Sequence, residues 1–567
     1  MSEQDYYKEL ISLLKKKSYT KAQLNRLKIK LCKKYKVKKI PTDINILLHA
    51  SGADLPKLKQ LQTKPTRTLS GVVPIAIMTK PFPCPHGKCL MCPGGVDSVF
   101  GNVPQSYTGK EPATMRAIRN NYDAYLQVFN RLEQFTVLGN LPQKTEIIIM
   151  GGTFPSFSTR YQNDFVRDVF QAMNDFSFIF YKKNCFDFKK FKAFFELPGD
   201  ITCPERRKRL HSKLLKLKKM RRKKLLEAQN YNDKKSFVKC VGLTIETRPD
   251  WGLLKHANQM LKLGCTRVEL GIQSVYDKAL ETIQRGHNVA DNIKSIKTLK
   301  DLGFKLNFHY MPGLPGLNIK KDLAGLLELF KNPDYKPDML KLYPCIVMPG
   351  TGLEKLYKKG KFKPLSTVKA VELIAKFKKH VPEYCRIMRV NRDIPTYRTI
   401  AGIDRTNLRQ YVEEFMKKNG SKCKCIRCRE SGHVLRKFNR VAKDCEVVTR
   451  GYEASEGTEI FISYEDVKQD IILGFCRLRF PSKSLRKEIT KDSALIRELH
   501  VYGEAVMIGK IGKVQHKGIG KKLLKKAEQL AKEVGMKKMV VISGVGVRGY
   551  YRKLSYKLEG VYMVKSL

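Results

Sequence analysis

No stretch of the 567-residue chain approaches the roughly 18 uninterrupted apolar residues of a membrane-spanning helix. The opening Met1-Ser-Glu-Gln-Asp5 likewise lacks the charged-then-apolar pattern of a secretory signal. No membrane association is expected, and the expected location is the cytoplasm. Acidic residues are few: 53 Asp and Glu face 110 Lys and Arg, leaving a formal charge of +57. Internal repeats are absent. Because a reducing compartment keeps thiols free, the 15 cysteines read as metal ligands or buried thiols rather than disulfides.

With 42% hydrophobic residues, the chain has the material for large cores, and its length predicts about two to four domains. So large a cationic excess implies a polyanionic partner, since neutralising phosphates releases counterions whatever their sequence. A lysine-rich proteome or a hot habitat would also raise the charge, but here the cations cluster. Residues 1–75 form a basic, mostly helical module. Thr20 and Gln23 make a capping box, Leu24, Leu27 and Leu31 share one helix face, and Arg26, Lys28, Lys30, Lys33 and Lys34 point elsewhere. A second cluster, Arg206-Arg-Lys-Arg209, Lys218-Lys219 and Arg221-Arg-Lys-Lys224, falls in an insertion over 205–239.

Over 76–395, short apolar runs alternate with helical stretches: Glu146–Met150, Cys240–Ile245, Arg267–Ile272, Lys305–His309 and Met339–Tyr343. This predicts an α/β domain with a parallel sheet, open or closed into a partial (β/α) barrel. Residues just after the strands then collect at the C-terminal face. Glu246 and Gln273 stand there, as polar contacts to a cofactor or substrate or as satisfied groups at strand ends. Residues 396–450 read as a connecting region and 451–567 as a small α+β domain.

Cys84-Pro-His-Gly-Lys-Cys89-Leu-Met-Cys92 puts three thiols on one loop after an apolar strand. Three thiolates can hold three irons of a 4Fe-4S cluster and leave the fourth open; with His86 as a fourth ligand they would close a zinc site instead. Together with Met150-Gly-Gly-Thr153 and the β-α alternation, the loop resembles the radical S-adenosylmethionine superfamily. The usual loop there has three then two residues between cysteines, here four then two, and the usual Gly-Gly-Glu is here Gly-Gly-Thr. Both departures match one branch, the family of the Elongator catalytic subunit. The resemblance continues through Ser106–Pro112, Gly242–Asp250, Glu269–Ser274 and His309–Pro315. It implies S-adenosylmethionine on the open iron, with Gly151, Gly152 and Thr153 at its methionine end, where glycine admits close backbone approach.

Gln515-His-Lys-Gly518-Ile-Gly520 opens a helical run, a placement of backbone N–H groups and helix dipole that suits a pyrophosphate. With Glu498–Val501 before it and Val540–Gly546 and Tyr550–Leu554 after it, this region resembles the GNAT acetyltransferases. The resemblance implies acetyl-CoA, its thioester lined by Glu498, Leu499, His500 and Val501, its pyrophosphate held by Gly518, Ile519 and Gly520, and its thiol end met by Tyr551. Lys144 is implied as a further acetyl-CoA contact. Ser555 stands where the family usually has glycine, and the insertion after Glu504 is short. Cys423, Cys425 and Cys428 favour tetrahedral zinc, with the fourth ligand open between His433 and Cys445.

What the resemblance implies is a tRNA-modifying enzyme that forms 5-carboxymethyluridine at the wobble position. S-adenosylmethionine is cleaved by one electron, hydrogen is taken from the acetyl methyl, the carbon radical adds to carbon 5 of uridine, and the thioester is hydrolysed. Lys144, Glu246, Gln273 and Tyr551 are the expected catalytic positions. Expected partners are the anticodon stem-loop of tRNA, gripped near Lys33 and Arg221, an electron donor, and either Elongator-type subunits or a second copy. Two rivals are a protein lysine acetyltransferase with a structural iron–sulfur domain and a non-catalytic RNA-binding module. The first leaves the open three-cysteine loop redundant, and the second explains neither cofactor signature.

Overall fold

The computed structural model describes residues 3–63, 71–183, 185–201, 203–503 and 518–567. Gln515–Lys517 of the glycine loop, and Glu504 with the insertion after it, lie outside them. In the N-terminal module, α1 (Glu3–Lys16), α2 (Lys21–Tyr35) and α3 (Asp43–His49) pack Leu10, Leu14, Leu24, Leu31 and Ile46 together. The capping box forms: Gln23 N–H donates to Thr20 Oγ1 at 3.3 Å and Thr20 N–H to Gln23 Oε1 at 2.9 Å. Arg26, Lys30, Lys33 and Lys34 are exposed, but Lys28 is only 4% exposed. Its spacing from Leu24 and Leu31 places it on the apolar face. The stem lies buried there while Nζ donates to the Pro41 carbonyl at 3.3 Å and pairs with Asp43.

Seven strands follow: β1 (Val73–Met78), β2 (Lys144–Met150), β3 (Lys239–Thr247), β4 (Arg267–Gln273), β5 (Lys305–Tyr310), β6 (Met339–Leu342) and β7 (Arg386–Arg389). All pair in parallel and in chain order, the winding of a (β/α) barrel left open between β1 and β7. Alternate residues turn opposite ways. Leu243, Ile245, Val268, Leu270, Leu306 and Phe308 join the main core beneath the helices. The residues between them, Glu246, Arg267, Glu269, His309 and Lys341, meet one another inside the half-barrel. The lumen is therefore lined with charge.

The basic insertion is a helix pair, α4 (Pro204–Met220) and α5 (Leu225–Lys234), docked on the barrel's outer layer. Arg206 is buried, 2.6 Å from Glu133, and Arg221 lies 2.7 Å from the buried Asp175. Arg222, Lys223 and Lys224 at the turn are exposed and line an open cleft with Arg167 and Glu227.

A second seven-stranded sheet comprises β8 (Glu446–Ala454), β9 (Gly457–Asp466), β10 (Ile471–Phe480), β11 (Ser493–Val501), β12 (Lys538–Val541), β13 (Lys557–Glu559) and β14 (Tyr562–Ser566). Their order is β8-β9-β10-β11-β12-β14-β13, with α6 (Ile519–Glu533) against it, so the sheet begins five residues inside the region read as a connector.

This domain closes the end of the half-barrel where the strands begin. Arg497 Nη2 lies 2.6 Å from Asp338 and its Nη1 donates to the Phe304 carbonyl at 2.6 Å. Arg479 Nε donates to Asp301 at 3.0 Å, and Lys305 Nζ lies 3.1 Å from Glu498. The arginines and carboxylates are almost fully buried, with Lys305 partly so, yet all are paired across the interface, the condition under which buried ions are tolerated.

Candidate active site

The three-cysteine loop stands at the opposite, C-terminal end of the strands. Cys89 and Cys92 are buried and Cys84 is half-buried. Burial, then repulsion between the thiols, pushes Cys84 and Cys92 above the ordinary thiol range. Among the described residues two groups bring three ligand atoms within 4.8 Å of one another, and this loop is not one of them. Its thiols are more widely spread than the roughly 3.8 Å edge of a tetrahedral zinc site with Zn–S of about 2.3 Å. That spread fits a cluster of several irons, with three ligands supplied by the chain.

Gly151 and Gly152 follow β2 with positive φ. Gly151 has φ +117°, and a Cβ there would lie 2.4 Å from Thr79 Oγ1; at Gly152, with φ +85°, it would lie 3.9 Å from Cys84 Sγ. Thr153 Oγ1 is 3.8 Å from the same sulfur. The glycine loop and the cysteine loop thus share one pocket, where a non-glycine backbone would be strained.

Gln273 closes β4 with φ +62°, and its Oε1 is buried without a hydrogen bond among the described residues. Glu246 Oε2 accepts from Tyr107 at 3.4 Å and its Oε1 lies 3.3 Å from Lys341 Nζ. Lys341 also pairs with Glu269, which accepts from His309 Nε2 at 2.8 Å. Burial opposes the Glu269 charge, but Lys341, His309 and Arg267 hold its carboxyl well below the usual range. Glu246, Glu269 and His309 form the second three-ligand group; Lys341 supplies the positive charge at its centre. Lower in the lumen, Arg267 lies 2.7 Å from Glu146, and both side-chain polar atoms of the buried Asn307 lack partners among the described residues. Arg267, Glu269, Asn307, His309 and Lys341 were not among the expected site residues, although Glu269 and His309 open two of the blocks that carry the family resemblance.

At the strand-start end, Glu498 faces the barrel: burial disfavours its charge, yet Lys305 and Arg477 hold it at about 2. Gly518 caps α6 with φ +81°, and an added Cβ there would meet nothing within 4 Å among the described residues. At Gly520 a Cβ would lie 2.9 Å from the Tyr550 hydroxyl and 3.9 Å from Val501. The glycine loop, the end of β11 and Tyr550 are therefore neighbours. Tyr551, the expected residue, is 5% exposed and packs edge-on to Tyr556 inside the domain core. Adjacent aromatics in a short helix point apart, so only the structure distinguishes them. Lys144 starts β2 beside Lys239, at this same end, and burial pulls it down to about 8. It is thus remote from Glu246 and Gln273 along the strands.

Cys423, Cys425 and Cys428 form the other three-ligand group, with 3.6 Å between Cys425 and Cys428 sulfurs, close to the edge of a zinc thiolate site. Neither His433 nor Cys445 joins them. His433 turns toward Glu430 at 3.9 Å, and Cys445 lies near Asp466 and Lys522.

A half-barrel with a three-cysteine loop at one end and an acetyltransferase-like sheet at the other defines a radical S-adenosylmethionine enzyme fused to a GNAT domain. Family models agree: Radical SAM superfamily over residues 194–329, Radical_SAM C-terminal domain over 337–418, Acetyltransferase (GNAT) family over 433–556 and ELP3 N-terminal domain over 3–69. The chain is 46% identical over 535 residues to a tRNA uridine(34) acetyltransferase of Methanocaldococcus jannaschii, covering 93% of this chain and 90% of that one. It is 40% identical over 575 residues to Elongator complex protein 3 of Saccharomyces cerevisiae, covering 99% and 94%. The solved structure of Methanocaldococcus infernus Elp3 lacking its N-terminus superposes with a TM-score of 0.71 at 39% identity, covering 88% of this chain and all of that one. The chain belongs to the Elongator complex protein 3 family. Its domains imply a 4Fe-4S cluster with S-adenosylmethionine and acetyl-CoA as cofactors.

Proposed function

We propose that this chain forms 5-carboxymethyluridine at the wobble position of tRNA, in the cytoplasm. The observation that carries the reading is the polar lumen between two cofactor-type sites at opposite ends of the same strands. When bound, the cluster with S-adenosylmethionine supplies a hydrogen-abstracting carbon radical, and acetyl-CoA supplies the acetyl group.

The chain's own residues do the placing. Cys84, Cys89 and Cys92 hold three irons, and Gly151, Gly152 and Thr153 admit the methionine end of S-adenosylmethionine. Gly518–Gly520 with the N-terminus of α6 bind the pyrophosphate of acetyl-CoA. Glu498–Val501 set the thioester at the barrel rim, with Tyr550 beside it and Lys144 approaching from β2. Gln273 and Glu246 offer polar atoms to the nucleobase at the cluster end of the strands, and the charges of Glu269, His309 and Lys341 line the lumen between the two ends. Cys423, Cys425 and Cys428 hold zinc, and the exposed cations of α2 and the 222–224 turn grip tRNA phosphates. An electron donor completes the set, with Elongator-type subunits or a second copy as the protein partner.

The test is anaerobic. The chain is reconstituted with iron and sulfide, reduced, and given S-adenosylmethionine, acetyl-CoA and unmodified tRNA, and digested nucleosides are read by mass spectrometry. Carboxymethylated uridine that disappears when either cofactor is omitted is the expected result. Acetylation of protein lysine by a verified intact chain, with no nucleoside product, would overturn it.

A further inference from the structure

The three thiols of the cluster loop are not treated alike. Among the described residues Cys84 meets the Thr153 hydroxyl, at 3.8 Å, and Cys92 meets Gln105 Oε1 at 3.2 Å, Ser106 Oγ at 3.7 Å and the Ser106 backbone. Cys89 has two nitrogen neighbours: His86 Nε2 at 3.0 Å and Arg285 Nη1 at 3.5 Å. A metal-bound thiolate can only accept, so both nitrogens must donate to it.

Both are held in place from behind. Arg285 Nη2 donates to the Gly271 carbonyl at 2.9 Å, which fixes the guanidinium to the end of β4. Arg248 Nη1 donates to the Arg285 carbonyl at 2.7 Å and its Nη2 to the Gly286 carbonyl at 3.1 Å, so the loop carrying Arg285 is itself tied down. Gly286 has φ +71°, and a Cβ there would lie 2.6 Å from His86 Cβ, so only glycine lets the imidazole take its place. Arg248 is matched by Asp250 at 2.9 Å, whereas no carboxylate pairs with Arg285 among the described residues. Guanidinium charge reaches Cys84 and Cys92 through space as well, from Arg285 and Arg392, but a guanidinium N–H donates to Cys89.

We propose that His86 and Arg285 are positioning residues that set the reduction potential of the iron–sulfur cluster through Cys89. The inference rests on the reading above, in which Cys84, Cys89 and Cys92 hold the cluster. Reduction adds one negative charge to the cluster, and donors on a ligand sulfur stabilise the more negative state, raising the potential. Two donors on one sulfur, one of them cationic, bias the electron toward the side of the cluster that Cys89 binds.

The experiment uses the full chain, reconstituted anaerobically, as wild type and as His86→Phe, Arg285→Gln and Arg285→Lys. Iron and sulfide content are measured first, then the reduced fraction by paramagnetic resonance during a redox titration without S-adenosylmethionine or tRNA. Expected is an approximately tenfold lower reduced-to-oxidised ratio at fixed solution potential for Arg285→Gln and for His86→Phe, a shift of about 59 mV for a one-electron couple. Arg285→Lys, which keeps the charge, shifts less. Unmoved midpoints in variants with full clusters overturn this inference alone. Loss of the cluster in His86→Phe with an unmoved midpoint in Arg285→Gln also overturns it, and makes His86 a ligand. A wild-type chain that takes up no cluster overturns the underlying reading and the inference together.

Discussion

Gly544 offers the most direct test of the docking between the two domains. It follows β12, has an ordinary φ of −57°, and sits so close to β3 that an added Cβ would lie 2.1 Å from the Val241 carbonyl oxygen and 2.4 Å from its carbon. Alanine is not strained in the backbone here, so Gly544→Ala perturbs only the contact. The obstacle is backbone in a central strand and cannot swing aside. Reaching an ordinary 3.4 Å contact requires the two surfaces to part by about 1.3 Å. Overpacking of this kind costs about 1–3 kcal/mol, and a displacement of about 1 Å between reacting groups costs on the order of 100-fold in rate. Thermal unfolding and the nucleoside assay, run side by side, measure both. The expected result is a lower Tm and a carboxymethyluridine yield reduced about 100-fold, with S-adenosylmethionine cleavage to 5′-deoxyadenosine retained. Gly549→Ala, in the same segment with nothing within 4 Å, is the control. A Gly544→Ala chain with wild-type Tm and yield would refute the claim that rigid docking couples the two sites.

Ser555 holds φ +67°, a left-handed conformation that disfavours non-glycine residues by about 1–2 kcal/mol, partly offset by the larger unfolded-state entropy of glycine. Ser555→Gly is expected to stabilise the chain by about 0.5 kcal/mol in denaturant unfolding; destabilisation would show that the hydroxyl is needed. Lys144, pulled down to about 8 by burial, is half neutral at pH 8, where an ordinary lysine is under about 1% neutral. Its lowered folded-state value means the chain gains stability as pH rises from about 8 toward 10.5 and carries the full penalty below 8. Labelling with an amine-reactive reagent should show Lys144 at half its limiting rate near pH 8, and a midpoint with the bulk lysines would contradict the burial argument.

Much of the fold was legible because each signal was local. Apolar runs marked five barrel strands, and the cysteine and glycine motifs marked the loops proposed to hold the cofactors. β7 was not legible, since Arg386-Ile-Met-Arg389 has no apolar run and takes strand form only by pairing with β6. Nor was the interface: no local pattern marks Arg477, Arg479 and Arg497 as buried, and only their distant partners Asp301, Asp338 and Glu498 make burial tolerable. The lumen network failed for the same reason, as Glu269, His309 and Lys341 come from three strands. Lys28 shows the converse, because helical spacing alone places it on the buried face and its charge masked that pattern.

Placing the cysteine loop at one end of the strands and the acetyltransferase sheet at the other gives the two cofactors separate doors. Neither has to leave for the other to enter, so spent coenzyme A and spent methionine can be exchanged independently. Binding experiments should accordingly find random order between acetyl-CoA and S-adenosylmethionine, and a competitor for one should leave the affinity for the other nearly unchanged.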